Sequence, residues 1–434
     1  MFSHSRFGQV IHKVLFGFMR RVVDKKKMLY ARQILRGARI KSFVQFQERN
    51  AHPIMHGEGA SFVGYYDKSP YSPDNRFVFF YFSELSEKTR KEVGVAVWDR
   101  EKNISVPLAI TSAWSWQIGA RLQWVSSGAG YKLFFNQISG GKVVAVGVDP
   151  FTGNVVDEVN DSIFEVSNEG SWALTLDFGR LYLFQRGYGY SADASYGGTS
   201  NDDNGIWLVE LKVNRKKLLF TMNNIANFCQ VETMLKADHW VNHIWLSDDD
   251  KYFVFVHFWV KDKKRFSRFL AVDIEEKKLV HLGQTLKAGH FCFIDSRTIL
   301  AWQGFDNESG FNYIDITDGS LTPYEHTNLY ANGHILRCPM HEEIVVCDTT
   351  QKHSVHDGSF SRKLRVCNIK NGNCREIISA FEPSKFRGDS RVDLHPRWDR
   401  TGDKILIDTS FNGFRRAYEL DVSCEIRQLL STDG

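Results

Sequence analysis

Four histidines fall at matching places in a repeated pattern. His243, His290, His334 and His395 each stand three residues before a bulky residue (Leu246, Phe293, Arg337, Trp398) that closes a short lead segment, and a polar turn and a strand follow. In three earlier copies the same place holds Lys68, Arg121 and Ser171, ahead of Tyr71, Trp124 and Leu174. With 15 histidines in 434 residues, chance seldom aligns four in consecutive repeats, and an apolar core has no use for such a row. Converging imidazoles have the composition of a site for a divalent metal such as manganese, zinc or calcium. The same set also suits a metal-free ring that binds an anion, or a group that hydrogen-bonds loops and channel water. Lys68 and Arg121 complete a cationic ring suited to carboxylates.

Neighbouring residues extend the candidate set. Tyr65, Tyr66 and Asp67 adjoin Lys68, His239 and Trp240 precede His243, and Arg391, Asp393 and Arg397 flank His395. Aromatic rings beside arginines suit a sugar face and its uronate carboxylate, respectively. Lys68, Arg121, Tyr66 and Arg397 are therefore read as catalytic candidates, and Tyr65, Asp67, His239, Trp240 and Arg391 as substrate-binding ones. His257 and His356 are further imidazoles, read as extra ligands or bases or, in preference, as core or loop residues. Asp74, Asp249, Asp399 and Asp403 read as turn residues. The chain has no glycine-rich phosphate loop, no G-x-S-x-G elbow and no H-E-x-x-H, so nucleotide-cofactor, serine-hydrolase and common zinc-protease chemistries find no motif.

The elements that position these residues repeat along the chain. In the last copy, His395 to Trp398 leads into a turn at Asp399 to Asp403, the strand Lys404 to Asp408, a second turn at Asn412-Gly413 and the strand Arg416 to Leu420, ending in Asp421. The stretches Gly64 to Asp99, Trp116 to Asp149 and His239 to Asp273 follow the same plan. The copy between Glu169 and Val209 is looser. Its second strand is read at Arg180 to Phe184, and the polar, glycine- and tyrosine-rich segment Gly187 to Asn204 is read as a long loop, functional or mobile. Seven such copies predict an all-β chain, a seven-bladed β-propeller of four-stranded blades over residues 47–434. Closure of the ring removes exposed sheet edges.

Aromatic content of 14% with only 9 prolines fits a strand-rich globule. With 55 basic and 51 acidic residues, the balance gives no argument for nucleic acid. Seven scattered cysteines without C-x-x-C favour a reduced compartment, with cytoplasmic location as the expectation. No run of 18 apolar residues exists to span a bilayer. Residues 1–46 form a basic amphipathic helical extension: Phe7, Val10, Ile11, Val14, Leu15 and Phe18 recur at helical spacing beside Lys13, Arg20, Arg21 and Lys25 to Lys27. Such a helix packs on the globule, mediates association, or contacts an anionic membrane surface peripherally. Oligomeric state leaves no mark in the sequence.

The segments His395-Pro-Arg-Trp398 and Tyr71-Ser-Pro-Asp-Asn-Arg76, each with its strand, resemble the S-P-D-G repeats of the Tol-system propeller and of oligogalacturonate lyase, and the leading histidines are closer to the lyase. The resemblance spans roughly residues 60 to 425. It implies a seven-bladed propeller that cleaves uronate-containing oligosaccharides by β-elimination, with a manganese-type ion held by histidines. Carried over to this chain, it implies an acidic glycan as partner, metal ligands among His243, His290, His334 and His395, a histidine or tyrosine that accepts the C5 proton, and Lys68 or Arg121 screening the developing charge. The alternative is a non-catalytic propeller that binds glycan or protein. The N-terminal helix on such a propeller resembles proteins of bacterial surface-polysaccharide assembly.

Overall fold

Alternating apolar strands broken by polar turns close into seven antiparallel sheets of four strands each, a seven-bladed β-propeller. The computed structural model describes residues 35–83, 91–127, 130–196, 201–283, 286–304, 309–349 and 361–431. Middle strands lie between neighbouring blades and are apolar on both faces: Val93–Asp99 is buried along its whole length. Outermost strands face water, so Leu321–Pro323 is exposed throughout. Turn aspartates behave as their type predicts, with Asp249 accepting from the Lys251 N–H and Asp399 from the Asp403 and Lys404 N–H groups.

The ring is closed by a strand from the other end of the chain. His52–Ile54 pairs with Arg416–Asp421 as the outermost strand of the seventh blade, Ile54 opposite Ala417 and fully buried. Just before it, the helix 35–48 covers the edge strand Cys374–Phe381 of the sixth blade. Ser42 Oγ donates to the Ser379 carbonyl (2.7 Å) and accepts from the Phe381 N–H (2.7 Å), and Gln45 Oε1 accepts from the Ser379 N–H (3.0 Å). Side chains thus satisfy a strand edge that would otherwise invite pairing with another chain. The apolar repeat at Phe7 to Phe18 lies outside the described residues. Among the described residues no helix is long and apolar enough to cross a membrane.

Three readings of the sequence change. In the third blade the innermost strand is Glu165–Val166 and the second is Trp172–Thr175. The hydrogen bond from Ser167 N to Trp172 O matches that from Asp399 N to Lys404 O in the last blade. The position equivalent to His395 is therefore Ile163, and Ser171 sits in the turn. Arg180 to Phe184 is not a strand but part of the helix Phe178–Phe184, started by Asp177, whose side chain accepts from the Arg180 N–H. A short apolar run does not by itself separate strand from helix. Finally, Cys367 and Cys374, scattered by sequence, face each other across a hairpin and form a disulfide.

Candidate functional site

The innermost strands lead from one face of the ring, where the histidines lie, to the opposite face, where the first turns lie. Two strand irregularities aim imidazoles inward. The pairing register slips between Asn242 and Trp245 and again between Ala288 and Phe291, bulging the strands at His243 and His290. His243 and His395 take left-handed backbone conformations (φ 55° and 44°), as does Arg121 (φ 57°). Three residues at the equivalent position thus share a conformation that L-residues adopt at a cost of about 1–3 kcal/mol.

Tyrosines fill the centre of the ring. The innermost strand of the first blade, Ala60–Phe62, breaks off and resumes pairing only at Tyr71, opposite Val78. The excursion between them carries Tyr65 and Tyr66 into the centre. Gly64 makes the turn at φ 105°, and a Cβ there would press on the Ile118 backbone at 3.2 Å. Tyr66 Oη donates to the Phe291 carbonyl across the ring (2.7 Å). Tyr65 stacks on His243 (ring centroids 4.8 Å) and meets the edge-on rings of His395 (5.0 Å) and His334 (5.6 Å). Burial raises both phenols well above their ordinary pKa, so they stay protonated.

The imidazoles form a row with one member apart. His290 and His334 have ring centroids 4.1 Å apart, and His334 and His395 4.3 Å. Among the described residues no ring contact joins His243 to another histidine; it lies across Tyr65, against Tyr188. Asp348 Oδ2 accepts the His334 Nδ1–H (2.9 Å), while Asp348 also accepts the backbone N–H groups of His334 (2.7 Å) and His395 (3.3 Å). This fixes the His334 tautomer and turns its Nε2 lone pair inward. Nε2 of His334 and Nε2 of His395 are buried without a partner. Together with an oxygen of Asp393, ligand atoms of these two residues lie within 4.8 Å of one another. Of the four histidines expected from sequence, His334 and His395 fall in this grouping together with Asp393, and His243 and His290 stand outside it.

Charge around the row is balanced from within. Asp393 accepts from Arg362 (2.7 Å) and from Arg391 (2.7 Å). Burial alone would raise its pKa, but the two guanidiniums hold it well below the usual carboxylate range. Burial also lowers the imidazoles of His290, His395 and His243, with the neighbouring His334 adding to the effect at His290 and His395; His243 falls to about 3. These rings are neutral near pH 7 and offer lone pairs instead of charge.

An open cleft of about 540 Å³ lies over the row on the histidine face. His243, His290, Tyr188, Arg186, Arg265 and Arg391 are among its walls, so three guanidiniums surround two neutral imidazoles. The tyrosine-rich segment read as functional or mobile supplies Gly187 and Tyr188, and Arg391 donates to Tyr188 Oη (2.9 Å). Arg391, named from sequence as a substrate-binding candidate, thus lines this cleft.

Several other candidates are placed elsewhere. Lys68 forms an ion pair with Glu165, and fully buried Arg121 makes a two-pronged pair with Asp67 (2.8 and 3.1 Å) and reaches Glu165 (3.3 Å). Both cations are neutralised internally. Lys68, Asp67 and Glu165 line a separate cleft of about 530 Å³ on the turn face. Buried Arg397 donates to the carbonyls of Gly64 and Tyr65 and to Asp408, clamping the tyrosine excursion. His239 is held by His257 Nε2 (3.0 Å) and the Met234 carbonyl (3.0 Å), and Trp240 is stacked between Phe184 and Phe258. Neither lines the cleft. His356 lies outside the described residues. The sequence reading named Asp393 beside His395 but missed Asp348 as a support of the row; an aspartate ending an apolar second strand, repeated at Asp408, was the available signal.

No protein-family profile matches the chain, and no curated protein sequence matches it. Among solved structures, an oligogalacturonate lyase in complex with manganese superposes with a TM-score of 0.60 at 12% identity, over 86% of this chain and 96% of that one. Oligogalacturonate lyase from Vibrio parahaemolyticus gives 0.55 at 11% identity, over 85% and 93%. TolB from Acinetobacter baumannii, at a TM-score of 0.36 and 11% identity over 80% of each chain, is too loose a fit to argue from. Likeness at this level of identity shows the fold, a propeller similar to that of the lyases.

Proposed function

We propose that the protein acts on an acidic saccharide bound in the cleft over the histidine row, with a divalent cation held beneath it. The observation that carries this reading is the pair of buried, partnerless Nε2 atoms on His334 and His395. Burying an acceptor without a partner costs about 1–3 kcal/mol, and a metal ion removes that cost for both at once. His334 and His395 would hold the ion, with His290 next in the row. Asp393 contributes less, because Arg362 and Arg391 already engage it. A bound divalent cation supplies Lewis acidity toward a uronate carboxylate.

The protein's own groups do the rest. Arg186, Arg265 and Arg391 attract and orient carboxylates. His243 faces the cleft as a neutral imidazole whose Nδ1 has no partner, and in a β-elimination it accepts the proton α to the carboxylate while the C4–O glycosidic bond breaks, a C4–C5 double bond forms and the leaving sugar oxygen takes a proton from water. Its low pKa makes it a weak base in the free protein. An anionic substrate beside it offsets the burial that disfavours the imidazolium, raising its proton affinity when proton transfer is needed.

A binding-only role is the second reading, and the central tyrosine plug favours it: beneath the cleft, the void between Tyr65, Tyr66 and His243 is only about 10 Å³. Metal content decides first. Elemental analysis of untagged protein should find stoichiometric metal in the wild type and none in His334→Ala/His395→Ala with the fold retained by circular dichroism. A uronate-oligosaccharide screen for the ultraviolet absorbance of unsaturated product follows, with His243→Gln inactive. Metal-free wild type sinks the metal-assisted reading; metal without turnover on any uronate leaves the binding role.

A further inference from the structure

Basic charge is concentrated at one end of the chain. Of the 55 basic and 51 acidic residues, positions 1–46 hold 11 and 1, leaving an acidic balance of 44 to 50 for the propeller. The helix 35–48 is locked to the sixth blade through Ser42 and Gln45, so its outer side has a fixed place. That side shows Ile40, Phe43 and Val44, each more than two-fifths exposed, at helical spacing between exposed Arg36, Arg39 and Lys41. Apolar residues flanked by lysine and arginine are the composition of a surface that lies in a lipid interface.

The direction of the helix adds to this. Ser42 bonds near the Phe381 end of the edge strand and Arg49 bonds Ile377 further back, so the helix starts at the histidine face and runs toward the turn face. The described chain thus begins on the histidine side, and the 34 residues before it, rich in Lys and Arg, join there. On the same rim, Arg39 donates to the Asn412 carbonyl in the turn that carries Phe414, which is 58% exposed with Lys385 over its ring. Arg415 of that turn donates to the carbonyls of Ser390 and Arg391 at the cleft wall. We infer that this rim, helix 35–48 with Phe414, docks onto an anionic membrane surface and turns the cleft toward the bilayer. A saccharide carried on a lipid would reach the histidine row from that side. The placement is independent of whether the row is catalytic.

Flotation of the full chain with vesicles of phosphatidylcholine alone or mixed with phosphatidylglycerol tests the contact. Binding to the mixed vesicles only, weakened by added salt, is expected. Ile40→Ser/Phe43→Ser/Val44→Ser should lower partitioning on the order of tenfold or more while keeping the thermal midpoint, since these residues are exposed. Equal binding to neutral vesicles, no binding, or unchanged binding of the triple variant would overturn the inference. So would a concentration-dependent dimer abolished by the triple variant, which would assign the face to a second copy. For orientation, an environment-sensitive dye is placed at Phe414→Cys or at Met340→Cys, on a turn of the opposite face, in a Cys229→Ser/Cys424→Ser background. A blue shift with anionic vesicles at position 414 alone supports the orientation; a shift at 340 alone, or at both, refutes it.

Discussion

Replacing Asp348 by asparagine tests the histidine row most directly, because it changes the chemistry of one group while nearly keeping its shape. The carboxylate accepts three N–H groups: the backbone of His334 at 2.7 Å, His334 Nδ1 at 2.9 Å and the backbone of His395 at 3.3 Å. The amide has one oxygen and one NH₂. If the oxygen keeps the backbone donor, the NH₂ faces Nδ1 and forces it to accept. The His334 proton then moves to Nε2, and the inward lone pair is lost. Partners that orient a ligating imidazole typically contribute 10–100-fold in metal affinity, about 1.4–2.8 kcal/mol. Losing the charge assistance of a buried bond adds roughly 1–3 kcal/mol of destabilisation. Calorimetric titration of manganese or zinc into metal-stripped Asp348→Asn should show that weakening, with His334→Ala losing the ion altogether. Wild-type affinity in Asp348→Asn alongside loss in His334→Ala would refute the tautomer argument.

Other outcomes follow from the same contacts. Arg121→Met leaves Asp67 and Glu165 buried without their shared cation, and should destabilise by about 3–5 kcal/mol; urea denaturation should show much of this recovered in Arg121→Met/Asp67→Leu, and a neutral single variant would contradict it. Below the ordinary histidine pKa of 6.5 the unfolded chain binds protons that His243, held at about 3, does not. Stability should therefore fall as pH drops from about 6.5 toward 3. Asp393 works in a lower window, its contribution present above about 3.8 and lost as pH falls through its depressed folded value. Thermal midpoints across this range should have a shallower slope in His243→Gln, and an identical slope would rule out His243 as a source. Ile54→Ala, in the strand that closes the ring, should cost about 2–5 kcal/mol in chemical denaturation although the residue is far in sequence from the blade it completes. A cost under 1 kcal/mol would mean that the seventh blade does not need this strand.

Local patterns in the sequence determined the blades. Apolar strand runs, turn aspartates and the recurrence of lead segment, turn and strand need only neighbours within a few residues, and they placed His243 and His290 on innermost strands and His334 and His395 just before them. Where local signals were ambiguous, the reading failed: Leu181 to Phe184 suits strand or helix, and the third blade slipped from Ile163 to Ser171. What surrounds the histidines was decided by closure of the ring. Arg121 finds Glu165, Tyr66 finds Phe291 and Arg397 finds Tyr65 across separations of 44, 225 and 332 residues. No spacing in the chain encodes such pairs. Whether a cation is free to meet a ligand or spent on a buried acid depends on which side chains the closed ring brings together, and here it spent Lys68 and Arg121 while leaving Nε2 of His334 and His395 unpaired.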